Sequence, residues 1–290
     1  MKLNVNTIKS NRAGFNAIAR IAEETSALSF DSVVLDFSRC SFFDANMAAP
    51  LYSVISRLRD ELNSVSVVNI PSDIKEILQK NHFLTIFNIG DLQDTNQTTI
   101  PFKIFKLQAG EQFSDYLDSY MNGRGIPTMS AALTKRFRQS LLEIFQNAAI
   151  HSRSGAGVFT CGQFFPQKHR LDFTIADAGV GIRENVRRYT RIAKMDSCKA
   201  IQWALVEGHT TKTGKQPGGL GLKLLKDFIR MNTGKLQIVS RFGYYEFSAQ
   251  EESTIKIEHD FPGTCVNIEI NTGDTSSYCL KSELSSDDIF

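Results

Sequence analysis

The chain has 290 residues, 42% of them hydrophobic and 22% charged, enough to fill the cores of two ordinary domains. With 33 basic and 31 acidic residues the formal net charge is +2, which provides no field that would steer the chain toward nucleic acid or an anionic membrane. No apolar run approaches the roughly 18 residues of a membrane span, and the N-terminus MKLNVNTIKSNRAGF lacks a signal-peptide core. The cysteines (Cys40, Cys161, Cys198, Cys265 and Cys279) include no C-x-x-C pair, which argues against a disulfide framework or structural zinc. Reduced thiols in a cytoplasmic protein are the expectation.

Segments 3–8 and 33–38 read as strands, with an amphipathic helix over 12–27 between them. Asp44 precedes a helical run from Ala45 to Leu62 and reads as its N-cap. VSVVNI (65–70) follows as a short buried strand, and Pro71 opens a helix through Gln79. Strands alternating with helices in this way predict an α/β layer with crossover connections. Residues 90–100 are polar and turn-rich, and are taken as a domain boundary. A strand at Phe102–Leu107 and a helix at Glu111–Met121 lead to the loop NGRGIPT, which opens a long helix. That helix repeats Leu133, Phe137, Leu141, Ile144, Phe145 and Ala148 at the 3.6-residue period. Strands are expected at 157–165, 170–176, 235–240 and 264–270, and the Ser/Asp-rich end, 273–290, is expected to be mobile.

Three elements in the second half carry chemistry. Spacings of four put Glu143, Asn147 and His151 along one side of the long helix, beside its apolar stripe. Burying Glu and Asn there without partners costs roughly 2–7 kcal/mol each, so a use is implied, although a solvated helix side shows the same spacing. An amide oxygen suits magnesium, and a carboxylate can polarise water. The second element, Asp177-Ala-Gly179-Val-Gly181, ends the strand LDFTIA; its carboxylate can accept from an exocyclic amine, though a plain strand-ending turn reads the same way. The third runs from Gly208-His-Thr-Thr211-Lys212 through Gly218-Gly219-Leu220-Gly221-Leu222 into a helix reaching Met231. Glycine-rich amides at a helix start form an anion cradle. It is not a Walker A loop, because no Lys-Ser/Thr follows the last glycine, and the split glycine clusters do not fit a dinucleotide fingerprint.

In this order the elements resemble the GHKL (Bergerat-fold) ATPases, the family of gyrase, the Bergerat-fold chaperones and the histidine kinases. The resemblance covers residues 130–271 and implies an α/β sandwich that binds ATP with Mg2+. It implies that Asn147 holds magnesium, Asp177 reads adenine, and Gly179, Gly181, Gly219, Gly221 and Leu222 line the nucleotide. Thr211 and Lys212 would stand near the phosphates in a lid over 183–217, and Gly263-Thr264 would close the site. Glu143 would activate water; His151 is equally open to packing or nucleotide contact.

Residues 30–84 resemble, more loosely, a STAS domain, through VVLDFSRCSFFDANMAAPLYSVISRL and VSVVNIPSDIKEILQKNHFLTIF. Where phosphorylated members carry Asp-Ser, this chain has Asp44-Ala45-Asn46, so the acceptor is missing. The expected layout is therefore an α/β STAS-like domain (1–100), a connector (101–129), the GHKL α/β domain (130–271) and a flexible tail (272–290). No histidine heads a long amphipathic helix, which argues against a histidine autokinase. The reading that follows is a regulatory, slow, magnesium-dependent ATPase whose nucleotide state alters contacts with a protein partner through the STAS-like domain or tail. The alternatives are an anti-sigma-type serine kinase acting on a separate STAS-like partner, and a nucleotide sensor without turnover. A homodimer is compatible with any of these; nucleic-acid binding and membrane insertion are not expected.

Overall fold

A computed structural model of the chain describes residues 1–121, 123–209 and 220–283. The N-terminal part alternates β1 (Lys2–Asn4), α1 (Arg12–Glu24), β2 (Ser32–Asp36), α2 (Ala48–Asp60), β3 (Ser64–Val68) and α3 (Ser72–Lys80). The three strands form one parallel sheet in the order β1-β2-β3. Asn11 starts α1 by accepting the Gly14 amide at 3.0 Å, and Phe15, Ile18 and Ala19 then fall on its buried side. Asp44 behaves differently from the N-cap expected of it. No side-chain cap bond forms; its carboxylate accepts the Ser10 amide at 2.7 Å and meets Arg170 at 3.0 Å. A short 3-10 turn, Ala45–Met47, supplies the first α2 carbonyls instead, which releases Asp44 for these long-range partners.

The rest of the chain builds β4 (Thr99–Phe105), α4 (Gly110–Met121), β5 (Thr128–Met129), α5 (Ala131–His151), β6 (Val158–Phe165), β7 (Arg170–Asp177), α6 (Gly181–Thr190), α7 (Ser197–Leu205), α8 (Leu220–Asn232), β8 (Lys235–Ser248), β9 (Glu252–Asn271) and β10 (Ser277–Tyr278). Five strands pair antiparallel in the order β4-β6-β7-β9-β8. The stretch read as a connector is part of this body. β4 is an edge strand of the sheet, and the Phe113 ring of α4 stacks on Phe145 of α5 with centroids 4.5 Å apart. The chain end is also tied down as far as it is described: β10 pairs with β5, Tyr278 bonds Asp274, and Ser130 Oγ donates to Glu283 at 2.6 Å. Residues 284–290 lie outside the described residues.

Alternation along the strands gives the sheet two buried faces. Phe173, Ile175, Ile238, Val266 and Ile268 face α5 and α8 on one side. On the other side Phe159, Cys161, Val239, Tyr244, Phe261 and Cys265 share a single apolar cluster with Phe15, Ile18, Tyr52 and Phe83 of the N-terminal part. The two parts therefore share a core across the back of the sheet. Polar side chains cross this interface too. Asn46 Nδ2 reaches Ser10 Oγ at 2.9 Å, Thr174 Oγ1 at 3.1 Å and Asn267 Oδ1 at 3.0 Å, all four residues being buried. Among the described residues no helix is long and apolar enough to cross a membrane.

Candidate functional site

The front-face pocket is assembled from four places in the chain. α5 begins at Ser130, whose hydroxyl accepts the Leu133 amide at 3.1 Å, and buries Leu133, Phe137, Leu141, Ile144 and Phe145 against the sheet. That rotation leaves Glu143, Asn147 and His151, spaced by four, on the pocket wall. Across from them β7 ends in Asp177, and the turn after it leads through Gly181 into α6. Val180 donates its amide to the Ser152 carbonyl at 2.9 Å, which ties this turn to the end of α5. Gly179 is required there: a Cβ would sit 2.0 Å from the same carbonyl oxygen, closer than any side-chain carbon survives. Thr264 of β9 and Leu222 of α8 complete the wall.

Asp177 is the electrostatic centre of the site. It is 3% exposed and accepts the Gly179 amide at 2.8 Å. Burial pushes its carboxyl up to about 7, while hydrogen bonds from the Gly179 and Thr264 amides pull the other way. A carboxylate held near neutrality in a cleft is a site signature with a physical cause. Glu143 lies at the far end, where its Oε2 accepts the Gly221 amide at 3.0 Å in the first turn of α8. The carboxylate thus lies against the positive end of a helix dipole.

Of the side chains anticipated from the sequence, Glu143, Asn147, His151, Asp177, Gly181, Leu222 and Thr264 come together around this pocket. Gly179 shapes its rim, and Gly221 meets it through Glu143. Thr211, Lys212 and Gly219 lie outside the described residues. The expected lid is folded up to His209: α6 and α7 are helices, Ala200 and Ile201 are fully buried, and Ser197 packs against Gly243 of β8. Residues 210–217 of that stretch lie outside the described residues.

Several lining residues escape sequence reasoning. Asn185 donates to the His151 carbonyl at 2.9 Å, bracing α6 against the end of α5. Trp203 and His209 stack with centroids 4.5 Å apart, the His209 Nδ1 meeting the Trp203 carbonyl at 2.9 Å. Ser240 receives the Ile182 amide at 2.9 Å and lies 3.1 Å from Thr264 Oγ1, coupling the turn to the closing strand. The one available signal was that Trp203 is the only tryptophan in the chain.

No curated protein matches the chain. Residues 132–273, the span holding nearly all of α5, the Asp177 turn, α8 and β9, match the family model described as histidine kinase-, DNA gyrase B-, and HSP90-like ATPase, which supports a GHKL-type domain in this segment.

Proposed function

We propose that the chain is a regulatory ATPase that binds ATP with magnesium in the α5–α8 pocket and turns it over slowly. The observation that carries this reading is the convergence of Glu143, Asn147, Asp177, Leu222 and Thr264, drawn from across the second half, on one cleft with a buried, half-titrated carboxylate at its base. In the ionised form Asp177 accepts from the exocyclic amine of adenine, which guanine lacks at that position. Asn147 offers an amide oxygen to magnesium. Among the described residues no group of three or more His, Cys, Asp or Glu side chains could hold an ion, so nucleotide phosphates and water would complete its sphere. Magnesium would supply charge neutralisation at the phosphates. The α8 N-terminus supplies the positive end of a dipole, and Glu143 beside it is placed to accept a proton from water.

The N-terminal part is proposed to be a STAS-like partner-binding domain; its three parallel strands and the α2 turn at Asp44–Asn46 support that reading. Asp44 is followed by Ala45 and Asn46, neither of which carries a hydroxyl, so no phosphate is expected on this turn. Should the chain instead transfer phosphate to protein, the acceptor is a separate partner.

Trp203 provides the direct test. ATP with magnesium should change its emission saturably, and Asn147→Ala should remove the magnesium dependence while nucleotide alone still binds. Equal affinity for GTP sinks the adenine assignment. Incubation with γ-labelled ATP then sorts the chemistry: label released as phosphate supports hydrolysis, label on an added partner supports a kinase, and unconsumed ATP leaves a sensor. Glu143→Gln keeps an oxygen for the Gly221 amide yet removes the base, so phosphate release should fall about 10²–10⁴-fold with binding retained.

A further inference from the structure

Behind the Asp177–Gly181 turn, on the opposite side from the nucleotide pocket, a second cleft opens at the seam between the two parts of the chain. Four guanidinium groups converge on it from four separate elements: Arg57 of α2, Arg153 after α5, Arg183 in the first turn of α6 and Arg241 of β8. Arg241 is paired with Asp260. No ion pair holds Arg57, Arg153 or Arg183 among the described residues. Burial lowers the Arg241 guanidinium most, Asp260 pulls it back up, and the like charges of Arg57 and Arg183 lower it as well.

Acidic side chains share the cleft: Asp260 pairs with Arg241 and also faces Arg57 and Arg183. Glu184 is engaged along its own helix by Arg188 at 3.3 Å and Arg187 at 3.9 Å. Asp60 and Glu61, at the end of α2, are exposed on the cleft's outer edge. Four guanidinium groups from different elements meet at this seam, and Arg57, Arg153 and Arg183 are left without an ion pair among the described residues. Guanidinium forks match the paired oxygens of a phosphate. We propose that this cleft binds a small phosphate ester, its oxyanion held between Arg57 and Arg183 with Arg153 and Arg241 flanking. Such a ligand bridges α2 to α6 and so clamps the N-terminal part against the ATPase body.

Inorganic pyrophosphate titrated into the full chain by calorimetry, near physiological salt, is the probe. Wild type should show saturable binding, and Arg57→Ser or Arg183→Ser should weaken it by at least roughly tenfold, the effect of losing one charge-assisted contact. Arg57 and Arg183 take part in no ion pair among the described residues, so unchanged melting temperatures should confirm that both variants fold. Absence of saturable heat overturns the proposal. So does binding that survives both arginine substitutions, since the anion would then occupy another site, the nucleotide pocket included.

Discussion

Asp177→Asn is expected to abolish the adenine recognition proposed for this pocket and at the same time make the fold more stable at pH 8. The carboxyl is 3% exposed, and burial pushes it up to about 7, well above the ordinary carboxylate range. Its folded value is raised, so the folded state holds the proton more tightly than the unfolded one. The stability this contributes is complete below about pH 4 and is lost as pH rises to 7 and beyond. A raise of about three pH units sets a ceiling of about 4 kcal/mol on the cost of the ionised form. An asparagine oxygen in the place of Oδ1 keeps the Gly179 amide satisfied and carries no charge, so the variant escapes that cost. Its Nδ2 would then face the adenine amine as donor against donor, and affinity for ATP should fall about 10- to 100-fold.

Denaturant midpoints of wild type and variant between pH 4 and pH 8 test the stability arm. The gap should widen with pH and close near pH 4; a variant no more stable at pH 8 contradicts the assignment of Asp177 as a buried, costly carboxylate. Buried Asp172, whose carboxyl burial also raises, adds the same slope to both proteins and cancels from the difference. Binding supplies the second arm. ATP affinity in wild type should rise from pH 6 to pH 8 as Asp177 ionises, and the variant should show a flat profile.

The second large effect concerns the back of the sheet. A fragment beginning at Thr99 uncovers Phe159, Cys161, Val239, Tyr244, Phe261 and Cys265, each buried in the whole chain by α1, α2 and their neighbours. A contiguous apolar face of that kind drives association. The fragment should therefore be recovered as aggregate, or as a loosely packed body without near-UV dichroism. In the full chain, Phe15→Ala removes a fully buried ring lying 6.0 Å from Tyr244 and 6.5 Å from Phe261, at a cost of about 3–5 kcal/mol. Asn46→Leu should cost about 3 kcal/mol, because Ser10, Thr174 and Asn267 lose a buried partner together. A monomeric fragment that unfolds cooperatively with wild-type stability would show that the two parts are independent after all.

Local patterns in the sequence were enough to bring out the α5 wall of the front-face pocket. The 3.6-residue stripe of α5 defines which face is buried, and four-residue spacing then forces Glu143, Asn147 and His151 to the adjoining wall. The Asp177 carboxylate at a strand end is equally local, whereas Gly179 and Gly181 are required by the distant Ser152 carbonyl and by Ser240 and Arg241. Contacts between distant segments were not legible. Asn185, Trp203 and His209 reach the pocket only because α6 and α7 fold back over β8. β4 and β10 join the body through pairings with β6 and β5, which no periodicity announces.

The other sheet face shows the limit most clearly. Along LDFTIAD the alternation of Asp172 and Thr174 with Leu171, Phe173 and Ile175 reads as a strand with one wet side, and Gln237 and Asn267 repeat the pattern on β8 and β9. All four polar side chains are fully buried, because α1 and α2 dock there. Asn46, Ser10 and Tyr244 supply hydrogen-bond partners for Thr174, Asn267 and Gln237 that water would otherwise provide, and Arg170 meets Asp172. A polar residue carries the same code in sequence whether its partner is solvent or a side chain more than a hundred positions away, so only the tertiary structure could decide between a solvated face and a shared core.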